Sequence, residues 1–154
     1  MKKTILLILV SALLMSGCGF KQLENQTKFS INEINSSGDK RISYLLRNKM
    51  QSLIAQNKQK IINLYVDVSK DLSIKEKNIK NEVTKYNITI IAKVKYNVVG
   101  ANEEVKFTIT NSGEYLTAKQ YSTEKNNEKT IVKLLSHDLA KKIISRISTS
   151  LNDL

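Results

Sequence analysis

The sequence predicts an α+β fold: a two-layer α/β sandwich in the order β-α-β-β-β-α, with two helices on one face of a mostly antiparallel four-stranded sheet. Three observations carry that expectation. Ile42 to Ile54 and Ile131 to Ile147 repeat apolar residues at three- and four-residue steps, the mark of helices with one buried face. Tyr86 to Val98 alternates without a break, the period of a half-buried strand. Gly100-Ala101-Asn102-Glu103 then folds a second alternating run back on the first. One apolar sheet face and two apolar helix stripes escape water only by covering one another.

Ahead of this domain stands a leader. Lys2 and Lys3 precede an apolar run, Ile5 to Leu14, which is shorter than the roughly 20 residues of a permanent membrane helix. It has the length of a secretory h-region. Leu13-Leu14-Met15-Ser16-Gly17-Cys18 resembles a bacterial lipobox, so residues 1–17 are expected to be a lipoprotein signal peptide and Cys18 the acylated first residue. An ordinary leader with a chance cysteine is the bland alternative. Cys18 is the only thiol of the chain and has no disulfide partner to explain it, which favours the anchor. Two or more acyl chains hold a protein on a membrane where one does not. Residues 18–27 read as a polar, lipidated tether, and residues 28–154 as a single domain. Gly19 replaces the aspartate that marks inner-membrane retention in enteric bacteria, so the outer membrane is the expected location.

Within the domain, Lys28 to Ile34 alternates as a short strand, and Asn35-Ser36-Ser37-Gly38 forms a turn cluster. Asp39 or a nearby serine caps a helix from Lys40 to Asn57, with Ile42, Leu45, Leu46, Met50, Leu53 and Ile54 on its apolar face. Ile62, Leu64, Val66 and Val68 define the next strand, which reaches Leu72 or Ile74 past an irregularity at Ser69-Lys70-Asp71. A polar link, Lys75 to Thr84, leads to the long strand. The hairpin is expected to pair Val98 with Val105, Tyr96 with Phe107 and Val94 with Ile109, with Lys95 by Thr108 and Lys106 beside Asn97. Gly113 to Ser122 reads as an irregular or edge segment. The final helix begins between Ser122 and Asn127 and runs to about Leu151, its stripe formed by Ile131, Leu134, Leu135, Leu139, Ile143 and Ile147.

Lysine and arginine number 25 against 14 acids, a net charge of +11 that falls to +9 once Lys2 and Lys3 leave with the leader. Such a surface attracts phosphates and lipid headgroups. Export makes nucleic acid the least fitting partner. Arginine appears only at Arg41, Arg47 and Arg146, and the chain lacks proline and tryptophan, so part of this basicity reflects an AT-rich coding bias.

Catalysis finds little to work with. His137 is the sole histidine and Cys18 is spent on acylation, so no Cys-His pair forms, and no ligand spacing for a metal or glycine-rich phosphate loop is visible. The expectation is a protein with no catalytic residues, no metal and no cofactor. Two basic features remain. Lys93, Lys95 and Lys106 share the outer hairpin face beside Thr108 and Thr110, and the expected register puts no acid among them. Lys125, Lys129, Lys133, His137 and Lys141 form a column on the last helix, where a solvated face is the ordinary reading.

Five short motifs stand in order: Cys18-Gly19-Phe20 at the opening, Leu46-Arg47-Asn48 in the first helix, Tyr96-Asn97-Val98 on the long strand, then Gln120-Tyr121-Ser122 and Leu139-Ala140-Lys141-Lys142-Ile143-Ile144. In that order and spacing the layout resembles the LptE lipopolysaccharide-assembly lipoproteins, especially the short alphaproteobacterial members, with lysine where arginine is frequent in the last motif. The resemblance implies a non-catalytic subunit of the outer-membrane lipopolysaccharide translocon, seated in the lumen of an LptD-type β-barrel and supporting its assembly. It also implies binding of lipopolysaccharide, whose phosphates suit Lys93, Lys95 and Lys106. Another outer-membrane machine, with a pilotin, a barrel-assembly accessory or a lipid-trafficking component, shares the same anchor and size.

Overall fold

The computed structural model describes residues 29–54, 60–101 and 103–152. The signal peptide, Cys18 and the tether expected above lie outside the described residues. Six elements follow in the expected order: β1 (Phe29–Gly38), α1 (Lys40–Leu53), β2 (Lys60–Lys77), β3 (Val83–Val98), β4 (Glu104–Leu116) and α2 (Tyr121–Asn152). The sheet runs β1-β2-β3-β4. β1 lies parallel to β2, and the other two pairings are antiparallel. A parallel pair needs a crossover, which α1 supplies.

The passage from β1 into α1 is tightly built. Gly38 takes a φ of +86°, and a Cβ there would stand 2.0 Å from the carbonyl oxygen of Val68. Only glycine fits so close an approach in that conformation. Asp39 then donates its N–H to the same Val68 oxygen at 2.9 Å. Its carboxylate accepts from the backbone N–H groups of Arg41 and Ile42 at 3.1 and 3.0 Å, capping α1. The turn cluster expected at Asn35–Gly38 is instead the end of β1, because β2 offers it a backbone partner as far as Val68.

β2 continues through Ser69-Lys70-Asp71 without the expected irregularity, and the polar link shrinks to a turn around Asn78–Glu82. Asn78 holds that turn by accepting from the N–H groups of Lys80 and Glu82 at 2.9 and 3.0 Å. Gly113 to Leu116, expected to be an irregular or edge segment, continues β4, an edge strand of the sheet.

The β3–β4 register differs from the expected one by two residues. Tyr96 pairs with Val105, Val94 with Phe107, Ala92 with Ile109 and Lys95 with Lys106. The turn begins earlier than expected: the N–H of Ala101 donates to the oxygen of Val98 at 3.0 Å, and Gly100 takes a φ of +89°. Val98 is thereby drawn into the turn. A two-residue shift keeps every side chain on its face, so Tyr96 and Phe107 remain neighbours on the diagonal, their rings edge to face at 6.4 Å.

Phe29, Ile62, Leu64, Ile88, Ile90, Val94 and Tyr96 cover the inner sheet face, under Ile42, Leu46 and Met50 of α1 and Leu139, Ile143 and Ile147 of α2. The Tyr96 hydroxyl donates to Ser150 Oγ at 2.8 Å, which lets this large ring lie buried without a stranded polar atom. α2 packs on β3, β4 and α1 together, so its buried surface is wider than a single stripe. Val132, Ser136, Ala140, Ile144 and Leu151 join it, whereas Leu134, placed in the stripe by spacing alone, is 61% exposed.

Candidate functional site

The helices leave the outer sheet face open, and the three hairpin lysines stand on it. Their surroundings come from the pairing. One cross-strand row reads Tyr65, Lys95, Lys106 and the next Asp67, Lys93, Thr108. Asp67, a strand away in space and 26 residues away in sequence, thus lies directly across from Lys93. Glu104, at the mouth of the hairpin, takes the Lys106 ammonium at 2.7 Å. That hydrogen bond, with further pull from Lys95, holds the Glu104 carboxyl below its usual range. The expectation that no acid stands among these lysines is therefore corrected: Glu104 shares the face of Lys106 two residues along β4, and the β2–β3 register brings in Asp67. Among the described residues, Lys93 and Lys95 have no carboxylate within 4 Å. Around the lysines the face carries amides and hydroxyls, Asn63, Asn97, Thr89, Thr108 and Thr110, with Ile91 among them; Asp71, Lys85 and Glu114 lie farther along it.

On the helical layer, an open cleft of about 240 Å³ lies where the start of α1 meets α2 and β2. Asp39, Arg41, Lys70, Lys125, Glu128 and Lys129 supply its charges. Glu128 receives Lys70 and Lys125, each at 2.9 Å, and these two hydrogen bonds hold its carboxyl below the usual range. Arg41 and Lys129 have no such partner among the described residues.

Further along α2, the helical repeat sets Lys129, Lys133, His137 and Lys141 one turn apart. His137 is half-buried rather than fully solvated. Its imidazole pKa lies below the usual value through loss of water and then through Lys49 of α1, Lys133 and Lys141. Lys49 is the member that spacing along α2 could not reveal; the packing of α1 on α2 brings it in. Among the described residues, no group of three or more His, Cys, Asp or Glu side chains is arranged to hold a metal, and no helix is long and apolar enough to cross a membrane.

Comparison with known proteins follows the same architecture. The structure resembles rare lipoprotein B from Shewanella oneidensis, with a TM-score of 0.58 and 19% identity over 79% of this chain and 98% of that one. It also resembles a Caulobacter crescentus protein described as a lipoprotein, with a TM-score of 0.56 and 16% identity over 78% of this chain and 90% of that one. At such identities the likeness is one of fold. No curated protein matches the sequence. The family model described as LptE, lipopolysaccharide-assembly, matches residues 26–147, from before β1 to near the end of α2. By that match the chain belongs to the LptE lipopolysaccharide-assembly family.

Proposed function

We propose that this protein is a lipid-anchored, non-catalytic subunit of the outer-membrane lipopolysaccharide translocon, seated in the lumen of an LptD-type β-barrel whose assembly it supports. The observation that carries the reading is the family match across residues 26–147. In this reading residues 1–17 are cleaved, Cys18 carries the acyl chains, residues 18–27 form the tether and residues 28–154 form the working domain. Attachment through acyl chains leaves the folded part free to face a partner, since each buried CH₂ contributes roughly 0.8 kcal/mol of anchoring. Lipopolysaccharide phosphates meet Lys93, Lys95 and Lys106 on the open sheet face; Lys93 and Lys95 have ammonium groups clear of any ion pair. An ammonium on a flexible stem suits a phosphate without demanding one fixed geometry.

The test is a tagged full-length chain expressed in its own host. The tag should retrieve a large outer-membrane barrel in stoichiometric amount, and depletion of the chain should lower surface lipopolysaccharide. Cys18→Ser should abolish fatty-acid labelling and processing. Retention of label in that variant would overturn the anchor. A pull-down without a barrel, together with unchanged surface lipopolysaccharide on depletion, would overturn the translocon role in favour of another outer-membrane machine.

A further inference from the structure

The helical layer carries a basic groove with a different character from the sheet face. Arg41 and Lys129 line one cleft. Lys49, eight residues after Arg41, acts on His137, eight residues after Lys129. α1 crosses back from β1 to the parallel β2 and α2 returns from β4, which runs the same way as β2, so the two packed helices run in the same direction with their cations in step. From Lys129 to Lys141 the α2 row extends about 18 Å, at 1.5 Å per residue. Arg41, Lys129, Lys133 and Lys141 are exposed, and Lys49 and His137 half-exposed, so all six reach solvent.

The acids nearby are already engaged. Asp39 is held by the two backbone N–H groups it caps. Glu128 is held by Lys70 and Lys125. Asp138 receives Lys142 at 3.0 Å and the side-chain amide of Asn111 at 3.1 Å. Among the described residues, none of Arg41, Lys49, Lys129, Lys133 or Lys141 has a carboxylate within 4 Å. Like charges at four-residue steps repel and weaken a helix. A row that keeps them without acids between is matched by an anion with several charges spread along its length.

We propose that the groove between α1 and α2 is a second lipopolysaccharide contact, taking the phosphates of the glycolipid headgroup along Arg41, Lys49, Lys129, Lys133 and Lys141, and binding it more strongly than the sheet face. The proposal rests on the lipopolysaccharide-handling role above. Its occupant is a multiply phosphorylated glycolipid rather than any anionic lipid, because the cations extend along a groove instead of meeting at one point.

The experiment immobilises the full-length acylated protein and measures binding of purified lipopolysaccharide in detergent across a salt series. The controls are the same lipopolysaccharide stripped of phosphate, and phosphatidylglycerol in the same detergent. Two variants are compared: Lys49→Gln/Lys129→Gln/Lys133→Gln/Lys141→Gln in the groove, and Lys93→Gln/Lys95→Gln/Lys106→Gln on the sheet. The groove variant should lose at least about tenfold in affinity and most of the salt dependence, and the sheet variant less than about threefold. Dephosphorylated lipopolysaccharide should bind parent and groove variant alike. A groove variant that binds as the parent does overturns the proposal and leaves the proposed function standing. Phosphatidylglycerol binding as tightly as lipopolysaccharide overturns it as well. A parent that binds no lipopolysaccharide defeats both readings. Should the groove variant unfold, NMR of the parent decides: the soluble phosphorylated headgroup must shift the His137 ring signals and the amides of α1 and α2, and shifts confined to β2–β4 overturn the groove.

Discussion

The open sheet face and the groove between the helices hold similar numbers of lysines and differ in what stands beside them. Strand pairing sets Asp67 across from Lys93, and the two-residue period of β4 sets Glu104 beside Lys106. On α2 the repeat stacks Lys129, Lys133 and Lys141 with His137, while the acids nearby face cap N–H groups or other lysines. Cross-strand neighbours are distant in sequence, whereas helix neighbours are four residues apart. A count of lysines therefore says less about local potential than the period of the element that bears them.

The junction between β1 and α1 sets the two layers against each other, and disrupting it should have the largest effect. Gly38→Ala should cost about 3 kcal/mol or more, because a Cβ in the left-handed region would collide with the Val68 carbonyl. Gly100→Ala is its control. The φ there is also positive, but nothing lies within 4 Å of the added carbon, so the cost should be nearer 1 kcal/mol. Denaturant unfolding of both variants measures the contrast, and equal losses would show that the junction tolerates displacement.

Next comes Glu128→Gln, which frees Lys70 and Lys125 and so makes the helical layer still more basic. Glu128 is largely buried, and losing its two charged hydrogen bonds should cost about 1–2 kcal/mol at neutral pH. Its folded pKa lies below 4.5, so the folded state binds fewer protons than the unfolded chain in acid. The stabilisation is complete above that ordinary value and is lost as pH falls through the folded one. Unfolding followed from pH 6 downward should show a shallower acid decline in E128Q than in the parent.

His137 senses the groove's potential from within. Desolvation first, then Lys49, Lys133 and Lys141, keeps its pKa below 6.5. Here too the unfolded chain binds the extra proton. Stability should fall as pH drops below 6.5 toward the folded pKa, and His137→Gln should flatten that slope. In an NMR titration Lys49→Gln and Lys133→Gln should each move the imidazole pKa up, while Lys93→Gln should leave it unmoved.

The smallest expected effect is the most pointed. Asp67→Asn with Glu104→Gln removes the two acids nearest the sheet lysines and makes that patch resemble the groove. Lipopolysaccharide affinity should rise about two- to threefold, with little change in melting temperature, since these charges are solvent-exposed. An unchanged affinity would mean that the sheet lysines do not touch the ligand.

Much of the fold could be read from periodicity alone. Alternation of period two identifies β3 and its two faces, but it cannot tell a register from one displaced by two residues, and there the turn at Val98–Ala101 decided. Polar Asn35 to Ser37 look like a turn until β2 supplies backbone partners. Leu134 fits the helical stripe by spacing, yet α2 rotates to pack on α1 as well, burying Val132 and Ser136 in its place. Ser136 manages this because its hydroxyl donates to the Val132 oxygen at 2.7 Å within the helix. As for the candidate site, the lysines could be named from their strand and helix positions. Asp67, Arg41 and Lys49 could not, because only tertiary packing brings them alongside.

The length of β2 gives the molecule a near end and a far end. Phe29, Lys60 and Val98 share one end of the sheet, and Lys60 Nζ donates there to the oxygen of Leu151 at 2.7 Å. The 18 residues of β2 then run about 55 Å to the turn at Asn78–Glu82, at roughly 3.3 Å per residue. From Cys18 to Phe29 is eleven residues, a leash of at most about 40 Å when fully drawn out. Under the anchor proposed at Cys18, the Phe29 end stays within that reach of the bilayer, while the Asn78–Glu82 turn reaches farther by up to the length of the strand. On that reading the β2–β3 turn is the part of the domain with the longest reach across the compartment.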